Sequence, residues 1–587
     1  MPCETTSINT RSFSYFTDNR HQEMKLTRLQ HVLVALNVAY RLYSAFYMIV
    51  GDCDETFNYW EPLNLLLRHF GKETWEYSPE YSIRSYAYLM PYYILGKIAQ
   101  SLQLSPKSIF YFIRAVGLSG FTSFCEIRFF LTIAHYSSDV ANWFLLFSSL
   151  SPGMSHGGVA LLPSSLALQT TILAHSYILK ATKAANSHKM MTRYLLGAIG
   201  CYFVGGILGW PFALALGIPV GFYTVAQIAR KLISPTILLK IAIVAGCIVA
   251  PIVAIDSYFL QKLVFIPANI VLYNVFGGEG EGPEIFGVEP WSYYVLNLAL
   301  NFHVVLPLSV AGALCNPLLA GKLKLFSLLV SAQLLVWNVI FFSQPHKEER
   351  FMYPIYGLIS ISAAIFVSQA LRIGEKGVAA IKPIRPMSLT PALRLGLIMA
   401  VAVPSHLRIL NLVENYGAPL RTFSYIADLQ PQPIDDGQLN VCMGKEWYHF
   451  PNSFFLPDGY RLKFVDSGFD GLLPGDFLEQ GSIRDSASHV PPNMNSRNEF
   501  EADKIVELKE CDYFVDNSQL GSKPQLLYPD LTLDQEWELK RCYKMINPDG
   551  RHTFLGKLLY IPTTFLKKVL PSHVESMSFC VLKRKDE

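Results

Sequence analysis

The sequence predicts an α-helical polytopic membrane protein of about 11 to 13 transmembrane helices followed by a soluble, mixed α/β C-terminal domain. Three observations carry this. Of 587 residues, 51% are hydrophobic and only 16% charged, too little polar surface for a soluble chain of this size. Apolar stretches long enough to cross ~30 Å of hydrocarbon recur up to about residue 410. After Tyr416 the pattern changes to charged and aromatic segments with period-two alternation, as in Arg461-Leu-Lys-Phe-Val and Lys504-Ile-Val-Glu-Leu.

In chain order, residues 1–28 read as a cytosolic tail. They lack the basic start, apolar core and small-residue cleavage site of a secretory signal, so the first apolar stretch must act as its own insertion signal. Apolar stretches lie near 30–50, 85–103, 108–134, 140–180, 194–228, 237–258, 291–312, 324–343, 352–370 and 391–410; those at 140–180 and 194–228 suffice for two passes each. Lys and Arg collect between Lys180 and Arg193, Arg230 and Lys240, Lys322 and Lys324, and Arg372 and Arg385, which marks those loops as cytosolic. Alternating from them makes 29–415 the membrane domain, with lumenal loops at 51–84 and 259–290, and places the segment around His346 and the domain 416–587 on the lumenal side. Parity between 84 and 160 stays open. The ending Lys583-Arg-Lys585-Asp-Glu resembles a dilysine retrieval signal, but the loop charges outweigh it and it is read as a basic terminus.

A net charge of +3 spread over loops excludes a nucleic-acid-binding face. Ten dispersed cysteines without CxxC pairs argue against a zinc or redox centre. Four of them, Cys442, Cys511, Cys542 and Cys580, fall in the C-terminal part, where an oxidising lumen permits disulfides.

Two clusters carry candidate chemistry. Gly51-Asp52-Cys53-Asp54-Glu55-Thr56-Phe57-Asn58-Tyr59-Trp60-Glu61-Pro62 puts four carboxylates within a few residues of a membrane border, where charge is costly. A carboxylate near others and partly desolvated suits a general base that takes a proton from a sugar hydroxyl. The loop continues through Trp75-Glu76-Tyr77-Ser78-Pro79 to Arg84, interleaving aromatic faces with polar edges as a sugar site would. The second cluster is Pro345-His346-Lys347-Glu348-Glu349-Arg350-Phe351. If helical, it shows His346, Lys347 and Arg350 on one face, a phosphate-binding arrangement on a side where basic residues are otherwise scarce. Weaker signals are His156, the break Gly209-Trp210-Pro211-Phe212, and the loop from Tyr273 through Gly277-Gly278 to Trp291, which could wrap a glycan. His303, on an apolar helix, reads as a core histidine. No phosphate-binding P-loop, zinc-protease or nucleophile-elbow motif is present.

These motifs resemble the lumenal mannosyltransferases that use dolichyl-phosphate mannose, glycosyltransferase family 22 of the C-type membrane glycosyltransferase superfamily. The strings Asp52 to Pro62, Thr74-Trp-Glu-Tyr-Ser-Pro, Tyr416-Gly-Ala-Pro and Lys445-Glu-Trp-Tyr-His-Phe-Pro are similar to the branch that adds alpha-1,2-linked mannose in asparagine-linked glycan assembly. The resemblance implies the C-type fold and an endoplasmic-reticulum membrane protein with its active site facing the lumen. It implies inverting transfer onto a dolichyl-diphosphate-linked oligosaccharide at two separate stages. Asp54 would be the base, with Asp52 and Glu55 orienting the acceptor or tuning it. His346, Lys347 and Arg350 would hold the donor phosphate. Asn58, Trp75, Glu76, Tyr77, Arg84, Tyr273 and Trp291 would bind substrate. Neither a metal nor another cofactor is implied; the partners are the two lipid-linked substrates, membrane lipids and other glycan-assembly enzymes. The alternatives are a sister mannosyltransferase of another lumenal pathway (a glycosylphosphatidylinositol anchor or an alpha-1,6 step), a non-catalytic scaffold, or a transporter. No internal repeat of the kind transporters carry is visible.

Overall fold

The computed structural model describes residues 26–277, 282–381, 389–429, 437–517, 536–562, 568 and 570–585. Most of the tail 1–28, Gly278 and part of the Arg372 to Arg385 cluster lie outside the described residues.

The first helix, Arg28–Tyr47, starts at Thr27, whose hydroxyl accepts the Gln30 N–H while Gln30 Oε1 accepts the Thr27 N–H at 3.0 Å, a capping box. Its inward face is polar. Arg41 is fully buried against Glu126 at 2.7 Å, and Asn37 donates to the same carboxylate at 2.9 Å. The charge is therefore paired and hydrogen-bonded, as burial requires.

Among the described residues, seven helices are long and apolar enough to cross a membrane: Pro106–Ala134, His188–Gly209, Pro211–Ala229, Ile237–Leu260, Gly321–Ser343, Glu349–Lys376 and Pro391–Tyr416. An eighth counts if the bent pair Ser292–Phe302 and Val305–Leu319 is one span. The sequence count of about 11 to 13 also took in helices at Arg28–Tyr47, Tyr86–Ser101, Ser138–Leu150 and Pro163–Lys183. Tyr86–Ser101 and Ser138–Leu150 have only 16 and 13 residues. Pro163–Lys183 buries Ser, Thr, Gln and His side chains, among them His175, which pairs with Gln333 at 2.8 Å. The stretch 194–228 divides at Trp210 into two helices, as its length suggested. The stretch 291–312 is not a straight span: the chain turns by 110° at His303, whose φ of 45° no helix accommodates. Within 259–290 the chain is partly ordered as helix Ile266–Phe276 and the turn Pro283–Phe286.

The described residues include seven strands, in chain order β1 (Lys72–Glu73), β2 (Leu439–Met443), β3 (Tyr460–Phe464), β4 (Gly475–Asp476), β5 (Tyr513–Asn517), β6 (Trp537–Ile546) and β7 (Ser576–Arg584). The C-terminal domain is built on a mixed sheet of order β3-β2-β5-β7-β6. β2 runs parallel to β3 and β5, and β7 antiparallel to β5 and β6. In β3 the predicted alternation is present: Tyr460, Leu462 and Phe464 point inward. Lys504–Leu508 is not a strand. Lys504 turns inward onto the Pro492 carbonyl, and Glu507 caps a separate turn at Leu508–Glu510. The four cysteines pair as Cys442–Cys511 and as Cys542–Cys580, the second across the β6–β7 ladder.

The first loop and this domain are clasped together. β1 pairs with β4. The buried Glu61 carboxylate accepts from Ser453 N at 2.6 Å, Ser453 Oγ at 2.8 Å and Lys72 N at 2.8 Å. Arg68 donates to the carbonyls of Ser453 and Leu456 at 2.7 and 2.9 Å and pairs with Asp458 at 2.7 Å.

Candidate active site

A single cavity of about 630 Å³ joins the first loop, the segment after Gln344, the loop 283–293 and the C-terminal domain. Asp52 is the N-cap of the helix that begins at Cys53, and its Oδ1 accepts the Asp54 N–H at 2.9 Å. That helix passes through a π-turn at Thr56–Trp60 before continuing as Glu61–Arg68. Neighbouring residues on a helix point about 100° apart, so Asp54 and Glu55 cannot face the same way. Asp54 opens onto the cavity; Glu55 is buried behind it, accepting from Trp60 Nε1 and Leu161 N, each at 2.9 Å.

The segment 344–348 is not helical: Gln344 and Glu348 are extended, Glu348 at φ −131° and ψ 150°, the chain bends at Pro345 and His346 between them, and a short 3-10 helix begins at Glu349. The shared basic face expected of a helix therefore does not form. His346, Glu348 and Arg350 point into the cavity. Lys347 also lines the cavity, but its ammonium donates to the carbonyls of Glu289, at 2.8 Å, and Gln344. It ties the loop 283–293 to this segment, with Glu289 N donating to Pro345 O at 3.0 Å. Glu349 turns away, onto His156 at 2.8 Å and Asn301 at 2.8 Å.

The Arg350 guanidinium joins the two clusters. It meets Asp54 at 2.7 Å, Asp52 at 3.3 Å and Glu348 at 2.5 Å. Arg84 completes the ring, bound to Asp54 at 3.2 Å, to both oxygens of Glu76 at 2.7 and 3.0 Å, and to Tyr59 OH at 3.0 Å. Asn58 donates to Glu76 and accepts from Thr74 Oγ1 at 2.6 Å.

These contacts set the charges. Burial pushes Asp52 up to about 7, against the pull of Arg350 and helped by the neighbouring Asp54 and Glu348. Burial acts on Asp54 too, but Arg350 and Arg84 overcome it and hold that carboxyl below its ordinary value. Burial disfavours a charged His346, yet its bonds to Glu348 at 2.9 Å and the Gly287 carbonyl at 2.7 Å raise it on balance. Both ring nitrogens face acceptors, the pattern of an imidazolium. Asp52, Cys53 and Asp54 offer ligand atoms within 4.8 Å of one another. The Arg350 guanidinium already lies against both carboxylates there, which disfavours a second cation.

Of the residues expected to bind substrate, Asn58, Trp75, Glu76, Arg84 and Tyr273 line the cavity, with Trp75 and Tyr273 in ring contact at 5.2 Å. Two do not. Tyr77 is fully buried with its hydroxyl on the Asn58 carbonyl at 2.7 Å, and Trp291 is 64% exposed outside the cavity. Trp210, at the helix break, lines the cavity and stacks on Phe351 at 5.1 Å. Residue pattern alone assigned no role to Glu348 or to the C-terminal domain's contribution, Trp447 among it, although Trp447 lies in the Lys445 to Pro451 string already singled out.

A family model described as the Alg9-like mannosyltransferase family matches residues 32–457. The alpha-1,2-mannosyltransferase ALG9 of Saccharomyces cerevisiae is 38% identical over 556 residues, covering 92% of this chain and 95% of that protein. The alpha-1,2-mannosyltransferase ALG9 of Homo sapiens is 35% identical over 549 residues, covering 89% of this chain and 84% of that protein. Among solved structures, ArnT from Cupriavidus metallidurans bound to undecaprenyl phosphate aligns with 74% of this chain and 85% of that chain, at a TM-score of 0.49 and 11% identity.

Proposed function

The chain belongs to the Alg9-like mannosyltransferase family, and from that premise we propose that it moves mannose from dolichyl-phosphate mannose, in alpha-1,2 linkage, onto a dolichyl-diphosphate-linked oligosaccharide. It acts at two separate stages of assembling the precursor of asparagine-linked glycans, at the lumenal face of the endoplasmic-reticulum membrane. The two disulfides of the C-terminal domain support an oxidising lumen. The single observation that carries the reading is the 2.7 Å contact between Asp54 and Arg350, residues far apart in the chain, inside one cavity.

The transfer is one in-line displacement. The acceptor hydroxyl oxygen forms a bond to the mannosyl anomeric carbon as the bond from that carbon to the phosphate oxygen breaks. The electron pair leaves with dolichyl phosphate, and the hydroxyl proton passes to Asp54. A base must be ionised when the acceptor arrives, and its two arginine contacts keep Asp54 so. The incoming donor phosphate competes with the carboxylates for Arg350, which then stabilises the leaving group with the His346 imidazolium. These cations supply the charge a divalent metal would otherwise bring.

The test incubates purified protein with labelled dolichyl-phosphate mannose and a defined lipid-linked acceptor, with and without EDTA. An EDTA-insensitive product whose new mannose is released by an alpha-1,2-specific mannosidase is expected. A product resistant to that enzyme, or dependence on a divalent cation, contradicts the reading.

A further inference from the structure

The C-terminal domain contributes Trp447, Phe469, Leu472, Leu473, Pro474 and Asn498 to the cavity, and none of them is charged. Every acidic or basic residue lining it comes instead from the first loop, from Glu289, or from the segment 346–350. All of the cavity's charge, where phosphate is handled and the proton is moved, thus lies outside the C-terminal domain, whose own wall is neutral, with aromatic faces, aliphatic edges and one amide. From this division we propose that the C-terminal domain is the acceptor reader: it cradles the uncharged sugars behind the one that receives mannose. The proposal rests on the transfer reading above.

The neutral wall is held at a fixed distance from the base. Trp447 packs on Phe57, ring centres 5.8 Å apart, and Phe57 lies one helical turn beyond Asp54. Phe469 packs on Trp447 as well, ring centres 5.1 Å apart. The same string fixes the spacing at its far end, where the carbonyls of Phe450 and Pro451 accept from Thr56 Oγ1 at 3.0 and 3.1 Å. Asn498, in the left-handed region at φ 57°, uses Oδ1 to accept the Leu472 N–H at 3.0 Å, which shapes the lip Leu472–Pro474. Asn498 lines the cavity, and that bond uses only its amide oxygen. An indole face with a neighbouring amide suits a hexopyranose, whose ring presents C–H groups on one face and hydroxyls around its edge. A wall without a cation offers a phosphate no charge to pair with. Because the base takes its proton from the acceptor, the sugars on the Asp54 side are acceptor sugars.

Trp447 also packs within the domain, so its truncation alone would not separate reading from folding. Asn498→Asp keeps an acceptor for the Leu472 N–H and replaces the amide donor by an anionic oxygen; Trp447→Phe keeps a ring where Trp447→Ala removes it. Each variant is assayed with saturating donor and two acceptors, the full lipid-linked glycan and one shortened behind the reacting mannose. The expected result is that the preference in kcat/KM for the full over the shortened acceptor falls about tenfold in Asn498→Asp and Trp447→Ala, through acceptor KM, and returns in part in Trp447→Phe. An unchanged preference in Asn498→Asp and Trp447→Ala, or a loss expressed as donor KM, overturns the proposal. If the wild-type protein moves mannose to neither acceptor, the transfer reading fails first and the proposal fails with it.

Discussion

Asp52 and Asp54, two residues apart, have opposite charge behaviour because two arginines meet one and mostly burial governs the other. This separates their roles by pH. With Asp54 as base, the wild-type rate holds as pH falls from 8 through about 7, where Asp52 takes up a proton, and Asp52→Asn gives a similar acid limb. A limb with its midpoint near 7 that vanishes in Asp52→Asn would make Asp52 the base. His346 is raised, so its charge is present below its titration and lost as pH climbs through it. Donor KM should therefore rise on the alkaline side of the usual histidine value, and a flat donor KM there would remove His346 from phosphate binding. Lys347 offers a sharper contrast with Arg350. Lys347→Ala removes the buried ammonium that ties the carbonyls of Glu289 and Gln344 together; both residues are exposed, so water takes its place and the loss is about 1 kcal/mol. It should lower the unfolding temperature more than it raises donor KM, whereas Arg350→Ala should do the reverse. At this scale the residue types were legible in the sequence, but orientation was not. Glu55 carries a charge the site needs and points away from it, because helix phase at Asp54 decides direction, and Lys347 lines the cavity with its ammonium held by backbone carbonyls.

Among the elements, the clasp between the first loop and the C-terminal domain decides whether the cavity stays closed on that side. Glu61 holds three donors at once, one from β1 and two from Ser453. Glu61→Ala leaves them buried and unpaired, at about 1–3 kcal/mol per donor. Thermal unfolding in detergent should show a clear drop in midpoint together with a higher acceptor KM. An unchanged midpoint would mean that the β1–β4 pairing alone holds the domain in place. Strand β3 was readable because a half-buried strand alternates with period two, and Lys504–Leu508 misled because its alternation belongs to turns. The β1–β4 pair joins residues 72–73 to 475–476, a contact that no local pattern announces.

For the whole molecule, the helical membrane body and the sheet domain followed from composition and hydropathy, which report what the bilayer demands of a chain. The helix count was less legible. Arg28–Tyr47 and Pro163–Lys183 bury polar side chains inside the protein, so neither has a wholly apolar surface, and the bend at His303 interrupts a run that hydropathy alone reads as continuous. The convergence of the first loop and the segment 346–350 on one cavity was inferred from their chemistry and is present in the structure, where Arg350 bridges them. The most direct measurement compares wild-type protein with Asp54→Asn, both purified and matched for folding by thermal unfolding, in transfer of labelled mannose from dolichyl-phosphate mannose to a lipid-linked acceptor. The account predicts a fall of about 10²–10⁴-fold in kcat for Asp54→Asn with donor binding retained. Turnover by Asp54→Asn at a rate close to wild type would contradict it.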